Sequence, residues 1–240
     1  MKYIVDTHTH TLASGHAYST IREMAYMASK KGVKLLGITE HGPKMPGSCH
    51  DFYFTNLRVV SRQMCGVELL LGVELNILDY DGTVDLPQNV LKQMDIAIAS
   101  MHIPCIKPGT KEGNTRAYLN AMKNPYINII GHPDDSRYEL DYEALVLGAK
   151  EHGVLLEFNN ASLTPGGPRV GARENDICLL ELCRRYDVPI VLGSDAHVDE
   201  GILNFRYTDE LLREIDFPEQ LVVNGSVEQC KRYVNKYKYR

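Results

Sequence analysis

Residues 1–20 read MKYIVDTHTHTLASGHAYST. A short apolar run, Tyr3 to Val5, leads straight into Asp6-Thr7-His8-Thr9-His10, and His16 follows six residues later. One reading is a polar loop rich in histidine. The other is a metal site at the end of a β-strand. Two histidines two apart on an extended segment point the same way, so His8 and His10 would grip one ion together. The rest of the chain discriminates between these readings.

Short apolar, β-rich runs recur along the sequence: 3–5 (YIV), 33–39 (VKLLGIT), 69–75 (LLLGVEL), 94–100 (MDIAIAS), 127–131 (INIIG), 154–158 (VLLEF) and 189–193 (PIVLG). Most are separated by about a dozen residues with apolar positions at helical spacing. STIREMAYMASKKG offers Ser19 or Thr20 as a cap and Gly32 as a stop. DYEALVLGAKEHG offers Asp141 and Gly153, and ENDICLLELCRRYD is a third helical pattern. Strand–helix alternation of this kind implies parallel strands with helical crossovers. The runs are nearly continuous in apolar character, as expected when both sheet faces are covered. An open doubly wound sheet and a closed barrel both fit.

The strand ends separate the two. The first run leads to His8 and His10, the second to His41, and the third contains Glu74. The fourth leads to His102, the fifth to His132, and the seventh to Asp195 and His197. Only VLLEF lacks a ligand just beyond it and ends in Asn159 and Asn160. A closed parallel barrel gathers its C-terminal strand ends into one mouth, where catalysis sits. An open sheet would spread them along an edge. The expectation is therefore an α/β fold, a distorted TIM-like (β/α)7 barrel with its metal site at the C-terminal ends of the strands. Imidazole with carboxylate suits zinc, manganese or iron. Seven histidines with Glu74 and Asp195 exceed the needs of one four-coordinate zinc and suffice for two or three ions. Asp6 and Glu40 are positioned to orient ligating histidines, with a helix-dipole or salt-bridge role as the alternative. His50 and His152 fall outside the pattern and are expected to be structural.

The totals are ordinary for a soluble globular protein. The chain has 240 residues, 44% of them hydrophobic and 24% charged. No linker or composition shift divides it, so one domain over 1–240 is expected. No run of about 18 apolar residues is present, which argues against a membrane span. The first residues lack the long apolar core of a signal peptide. Six cysteines without a CxxC pair are expected to be reduced and partly buried, with the cytoplasm as the location. The net charge of −5 argues against a nucleic-acid partner. Residues 231–240 (KRYVNKYKYR) are basic and read as the exposed end of a last helix. The loops at 42–51 and 103–113 are expected to shape the pocket.

The ordered set DTHTH, GH at His16, TEH, GVE, SMH, GHP and SDAH resembles the PHP superfamily, named for polymerase and histidinol phosphatase. The segment HGPKMPGSCHDFYFTNLRVVSR with GVELNILDYDG is similar to its small stand-alone YcdX-like phosphatases. The resemblance spans roughly residues 4–197. It implies a phosphoric monoester hydrolase with three divalent ions, zinc before manganese or iron. His8, His10, Glu74 and Asp195 would hold the first ion. Glu74, as a bridge, would join His102 and His132 on the second, and His16, His41 and His197 would hold the third. Metal-activated hydroxide would attack phosphorus, with His8, His10, Glu74, Asp195 and His197 carrying the chemistry. The implied partner is a small phosphorylated metabolite, and the implied assembly a homo-oligomer, with a trimer suggested. Arg58, Arg62 and Arg206 stand as phosphate partners or surface residues, and Asn160 as a substrate contact or a turn residue.

Two other readings remain open on the sequence. Metal-dependent amidohydrolases are also barrels with HxH on the first strand and a late Asp. Their usual bridge is a carboxylated lysine, whereas Glu74 occupies the matching position here. PHP-type nucleases act on nucleic acid, but this chain is acidic and has no polymerase segments.

Overall fold

Alternation along the apolar runs decides which side chains fill the inside of the barrel and which face its helices. Val5, Leu35, Leu70, Ile96, Ile98, Ile129, Leu155 and Val191 form one buried inner layer. Their neighbours Leu36, Ile38, Leu69, Leu71, Val73 and Leu75 lie in a separate outer core against the helices. The computed structural model describes residues 1–238. Its strands are β1 (Val5–Asp6), β2 (Leu35–His41), β3 (Gln63–Met64), β4 (Val67–Asn76), β5 (Ala97–Ser100), β6 (Ile129–Ile130), β7 (Leu155–Asn159) and β8 (Ile190–Gly193). Seven run parallel in the order β1-β2-β4-β5-β6-β7-β8, so each pairs with the next along the chain. The expected barrel of seven β/α units is the fold. β3 is an addition. It pairs antiparallel with β4 through Cys65 and Gly66, whose φ of 52° and 78° make the positive-φ turn that a tight hairpin requires.

The helices are α1 (Ile21–Lys30), α2 (Asp51–Asn56), α3 (Gln88–Leu91), α4 (Lys111–Met122), α5 (Tyr142–His152), α6 (Asn160–Leu163), α7 (Ala172–Tyr186), α8 (Arg206–Glu214), α9 (Val227–Lys231) and α10 (Asn235–Lys238). Thr20 caps α1 in a capping box with Glu23, and Asp141 and Gly153 bound α5. α7 begins two residues before the sequence pattern, at Ala172. No helix among the described residues is long and apolar enough to cross a membrane. The six cysteines are unpaired, with Cys183 and Cys230 buried.

β1 and β8 close the barrel indirectly. At the mouth, Thr9 bridges Ala196 in parallel, with His10 N–H on the Ala196 carbonyl at 2.9 Å and Asp195 N–H on that of His8 at 3.0 Å. Lower down the gap is filled by one buried side chain, Asn224. Its Oδ1 accepts from Leu192 N–H at 2.7 Å, and its Nδ2 donates to the carbonyls of Leu192 and Val5 at 2.8 and 3.1 Å. The amide thus substitutes for a missing stretch of strand.

The basic tail departs from the expectation of an exposed helix end. Cys230 and Val234 join Val223 in the inner apolar layer and plug the barrel floor. Lys231 and Lys236 reach Glu68 at 3.0 and 2.6 Å, and Asn235 is held between Asn128 and the Tyr126 carbonyl. The lysines answer a carboxylate at the barrel floor. Tyr239 and Arg240 lie outside the described residues.

Asn224→Ala leaves one buried N–H and two buried carbonyls at the seam without their partner. At about 1–3 kcal/mol for each orphaned group, a loss of at least about 2 kcal/mol in urea unfolding is expected. A loss below about 0.5 kcal/mol would show that the amide does not hold the seam.

Candidate metal centre

The inner layer of aliphatic residues gives way toward the mouth to polar side chains on the same face. On β4 the inward series runs Leu70, Gly72, Glu74, Asn76; on β7 it runs Leu155, Glu157, Asn159. Parity alone therefore turns Glu74 and Glu157 into the barrel. Both are completely buried. Gly193 on β8 is needed where they converge, because a Cβ there would stand 2.0 Å from Glu157 Oε1.

Glu74 is the centre of the cluster. Its Oε1 lies 2.8 Å from His132 Nε2 and 3.2 Å from His102 Nε2. Its Oε2 lies 2.7 Å from His41 Nδ1, 3.4 Å from His8 Nε2 and 3.6 Å from His10 Nε2. Burial raises the Glu74 pKa, but His102, His8 and His41 outweigh it and hold the carboxyl well below its usual range. Asp195 stands opposite at φ 55°, with Oδ1 at 3.3 Å from His10 Nε2 and 3.7 Å from His8 Nε2. Its Oδ2 takes Asn159 Nδ2 at 3.2 Å and Arg169 Nη2 at 3.3 Å. Burial again opposes ionisation, and His8, His10 and Arg169 keep Asp195 well below normal.

Four imidazoles commit Nδ1 to a fixed acceptor. His8 Nδ1 meets Glu157 Oε1 at 2.6 Å, and His102 Nδ1 meets Asn76 Oδ1 at 2.7 Å. His197 Nδ1 meets the Asp195 carbonyl at 2.9 Å. His10 Nδ1 meets Ser14 Oγ at 3.0 Å, and Ser14 gives its own proton to Glu40 Oε2 at 2.7 Å. Each acceptor therefore takes a hydrogen bond from Nδ1–H and turns Nε2 toward the cluster, the usual way a protein orients histidine ligands. His8 Nε2 and His10 Nε2 stand only 3.1 Å apart. Neutral His102, whose pKa burial pushes down to about 4, turns an unprotonated Nε2 on the Glu74 carboxylate. Glu74 Oε2 and His41 Nδ1 face each other off the hydrogen-bonding direction, so both are buried without a partner. Lone pairs converging on a carboxylate repel one another unless a cation lies among them. Mixed N/O donors in this arrangement fit divalent zinc, manganese or iron.

All nine residues of the sequence pattern meet at this mouth, though not equally. Compact triplets are His8–His10–Glu74, His41–Glu74–His102 and His10–His41–His197. His132 joins through Glu74, and Asp195 through His8 and His10. His16 is exposed at the rim and joins by ring contact, 4.9 Å from both His41 and His197. Of the two acids preceding the histidines, Glu40 orients His10 through Ser14. Asp6 instead accepts backbone N–H groups of Leu203, Ser194 and His8, at 2.9, 3.4 and 3.5 Å, tying β1 to the β8 loop. Burial pushes its pKa up to about 6. His50 caps α2 and is exposed.

The three arginines of the sequence reading do not contact the cluster. Arg62 pairs with Asp95, Arg206 pairs with Glu210 on the surface, and Arg58 is exposed. Arg169 is the arginine that touches it. This nearly buried guanidinium contacts Asp195, Asn159 and Ser162. It sits in the loop TPGGPRVG, where no spacing marks it. Glu157 also lies outside the sequence pattern, although like Glu74 it sits inside its apolar run. A lone acid inside the run VLLEF was the available signal. Asn160 is structural, its Oδ1 receiving Tyr207 and Thr208 N–H in the first turn of α8.

Comparison with known proteins adds to this geometry. A profile of the PHP domain matches residues 6–166. The chain is 47% identical to a probable phosphatase of Clostridium novyi, over 98% of this chain and 95% of that one. It is 50% identical to a probable phosphatase of Caldicellulosiruptor saccharolyticus, over 96% and 95%. Among solved structures it resembles histidinol phosphate phosphatase from Lactococcus lactis, complexed with zinc, L-histidinol and phosphate. That likeness has a TM-score of 0.58 at 15% identity, covers 90% of this chain and 95% of that one, and speaks to the fold.

The electrostatics set a pH dependence. Burial lowers the His8 pKa, but Glu157, Glu74 and Asp195 outweigh it and raise it well above normal, whereas His10 and His102 are lowered. In metal-free protein these three carboxylates therefore favour the imidazolium form of His8. Its contribution to stability is complete below about pH 6.5 and is lost as pH rises through its raised pKa. Metal loading at pH 7 should release a proton from His8 and none from His10 or His102, and affinity should rise with pH. Proton release in weak buffer with an indicator dye checks this; none would contradict the assigned charge.

Proposed function

The chain belongs to the PHP domain family, and from that premise we propose that it is a metal-dependent phosphatase. Its substrate would be a small phosphate monoester, hydrolysed at a trinuclear centre in the barrel mouth. The observation that carries the reading is the set of imidazole Nε2 atoms turned inward on two carboxylates, Glu74 and Asp195. His8, His10, Glu74 and Asp195 would hold one ion, and Glu74, His102 and His132 a second. His16, His41 and His197 would hold a third. When bound, such ions acidify water toward neutral pKa and draw charge from phosphoryl oxygens.

The chain's own residues have separate parts in this proposal. Glu74, with one oxygen toward His102 and His132 and the other toward His41, His8 and His10, has the geometry of a bridge. Arg169 keeps one Asp195 oxygen engaged, so that the other stays turned on His8 and His10. Its guanidinium also adds positive charge where a dianionic phosphate would arrive. On this reading the nine donors hold metal and none is left as a general acid, so the leaving oxygen would take its proton from water. The exposed rim position of His16 suits the ion nearest the substrate entrance.

Protein purified without chelator should carry about three equivalents of metal, following the nine-residue donor set. His10→Ala and Asp195→Ala should each abolish phosphoester hydrolysis while the circular dichroism stays that of wild type. Near-normal turnover by either folded variant would sink the assigned cluster. Arg169→Met, assayed with metal in excess, should lower kcat/KM by about 10²-fold, on the scale of losing one electrostatic contact to the transition state.

A further inference from the structure

Among the seven parallel strands, β7 is the one whose end bears none of the nine candidate ligands, yet it carries a wholly buried carboxylate at the level of the cluster. Glu157 Oε1 takes His8 Nδ1–H at 2.6 Å. Its Oε2 accepts His132 backbone N–H at 3.0 Å and Asn159 Nδ2–H at 3.1 Å. His8 and His132 come from β1 and β6, and their rings stack at 6.0 Å. At their other ends both face Glu74, His8 Nε2 at 3.4 Å and His132 Nε2 at 2.8 Å. The four residues form a closed cycle, Glu74–His8–Glu157–His132, whose Glu157–His132 link runs through the His132 backbone N–H.

Two features show that the cycle is built for one carboxylate. Gly193 leaves the space that Glu157 Oε1 occupies. His132 adopts φ 31°, the left-handed region that a non-glycine residue rarely takes unless its surroundings impose it. The Glu157 oxygen on its N–H is such an imposition. Glu157 therefore sets the tautomer of one histidine and the backbone of another, and these two histidines belong to different ions in the proposed centre.

We propose that Glu157 is a positioning residue shared by the first two metal positions, so that those two ions are bound and lost as a pair while the third is independent of it. The proposal rests on the trinuclear reading above. Glu157→Gln retains the size of the side chain but offers one acceptor oxygen, so it can serve His8 or His132 and turns an amide N–H on the other. Second-shell substitutions weaken metal binding by about 10–100-fold. That loss should fall on two ions together.

The test is metal content and chelator competition on wild type and Glu157→Gln, with circular dichroism to show the fold. Wild type is expected to keep about three ions, and the variant about one after passage through a weak chelator. The two lost ions should leave in a single step. A purely structural defect would weaken all three alike. Loss of one ion only, retention of all three, or loss of all three from a folded variant would each overturn the proposal. Wild type holding fewer than three ions would overturn the trinuclear reading itself, so the two failures are told apart by the wild-type arm. If Glu157→Gln does not fold, Glu157→Asp keeps the charge but is too short to span both donors, and the same paired loss is expected.

Discussion

Glu74 is a carboxylate placed where water does not reach, and the structure around it is the answer to that placement. An isolated buried charge is costly, and in an apolar surrounding it would be neutralised by a raised pKa. Here imidazoles from the ends of β1, β2, β5 and β6 surround it and hold it ionised. Removing any one strand end would leave part of that charge unanswered. The mouth of the barrel is thus organised from the inside outward. Glu74 stands at its centre, the imidazoles surround it, and Glu157, Ser14, Asn76 and the Asp195 carbonyl lie behind the imidazoles. Each outer group accepts a hydrogen bond from Nδ1–H and so decides which nitrogen faces inward.

Such precision needs a closed barrel, and closure is where the fold is least regular. β1 has two residues and β8 four, too few to pair along their length. At the mouth the gap is spanned by the same residues that carry chemistry, because His8, His10, Asp195 and Ala196 exchange backbone hydrogen bonds there. Site and seam are one structure at that point. Lower down Asn224 takes over, and the segment that bears it continues into the plug of Cys230 and Val234 under the inner aliphatic layer. The tail is part of the barrel's interior, and its lysines are anchored to Glu68 rather than set aside for a partner.

The strands and the nine residues at their ends were legible in the sequence because both follow from short-range rules. A parallel strand buried on both faces is a continuous apolar run, and a barrel delivers its ligands just past the ends of such runs. His8, His10, His41, His102, His132, Asp195 and His197 obey this rule. Glu157 does not, because it sits within a run and its partners are His8 and His132, 149 and 25 residues away. Arg169 follows no period and reaches the cluster only because the loop before α7 folds over Asp195. Arg58, Arg62 and Arg206 were equally plausible by type, and their positions around the barrel led them elsewhere.

The sequence by itself determined the class of fold, the number of parallel strands and the identity of the donors gathered at the mouth, since alternation and run length are local consequences of covering a sheet. Only the tertiary structure decided how those donors divide their nitrogens and oxygens. It placed Glu74 between two sets of histidines and gave Glu157 to two ligands at once. It also drew the basic tail into the barrel floor. These outcomes depend on contacts between residues far apart in the chain, whose distances and angles arise when β1 and β8 meet and the barrel closes.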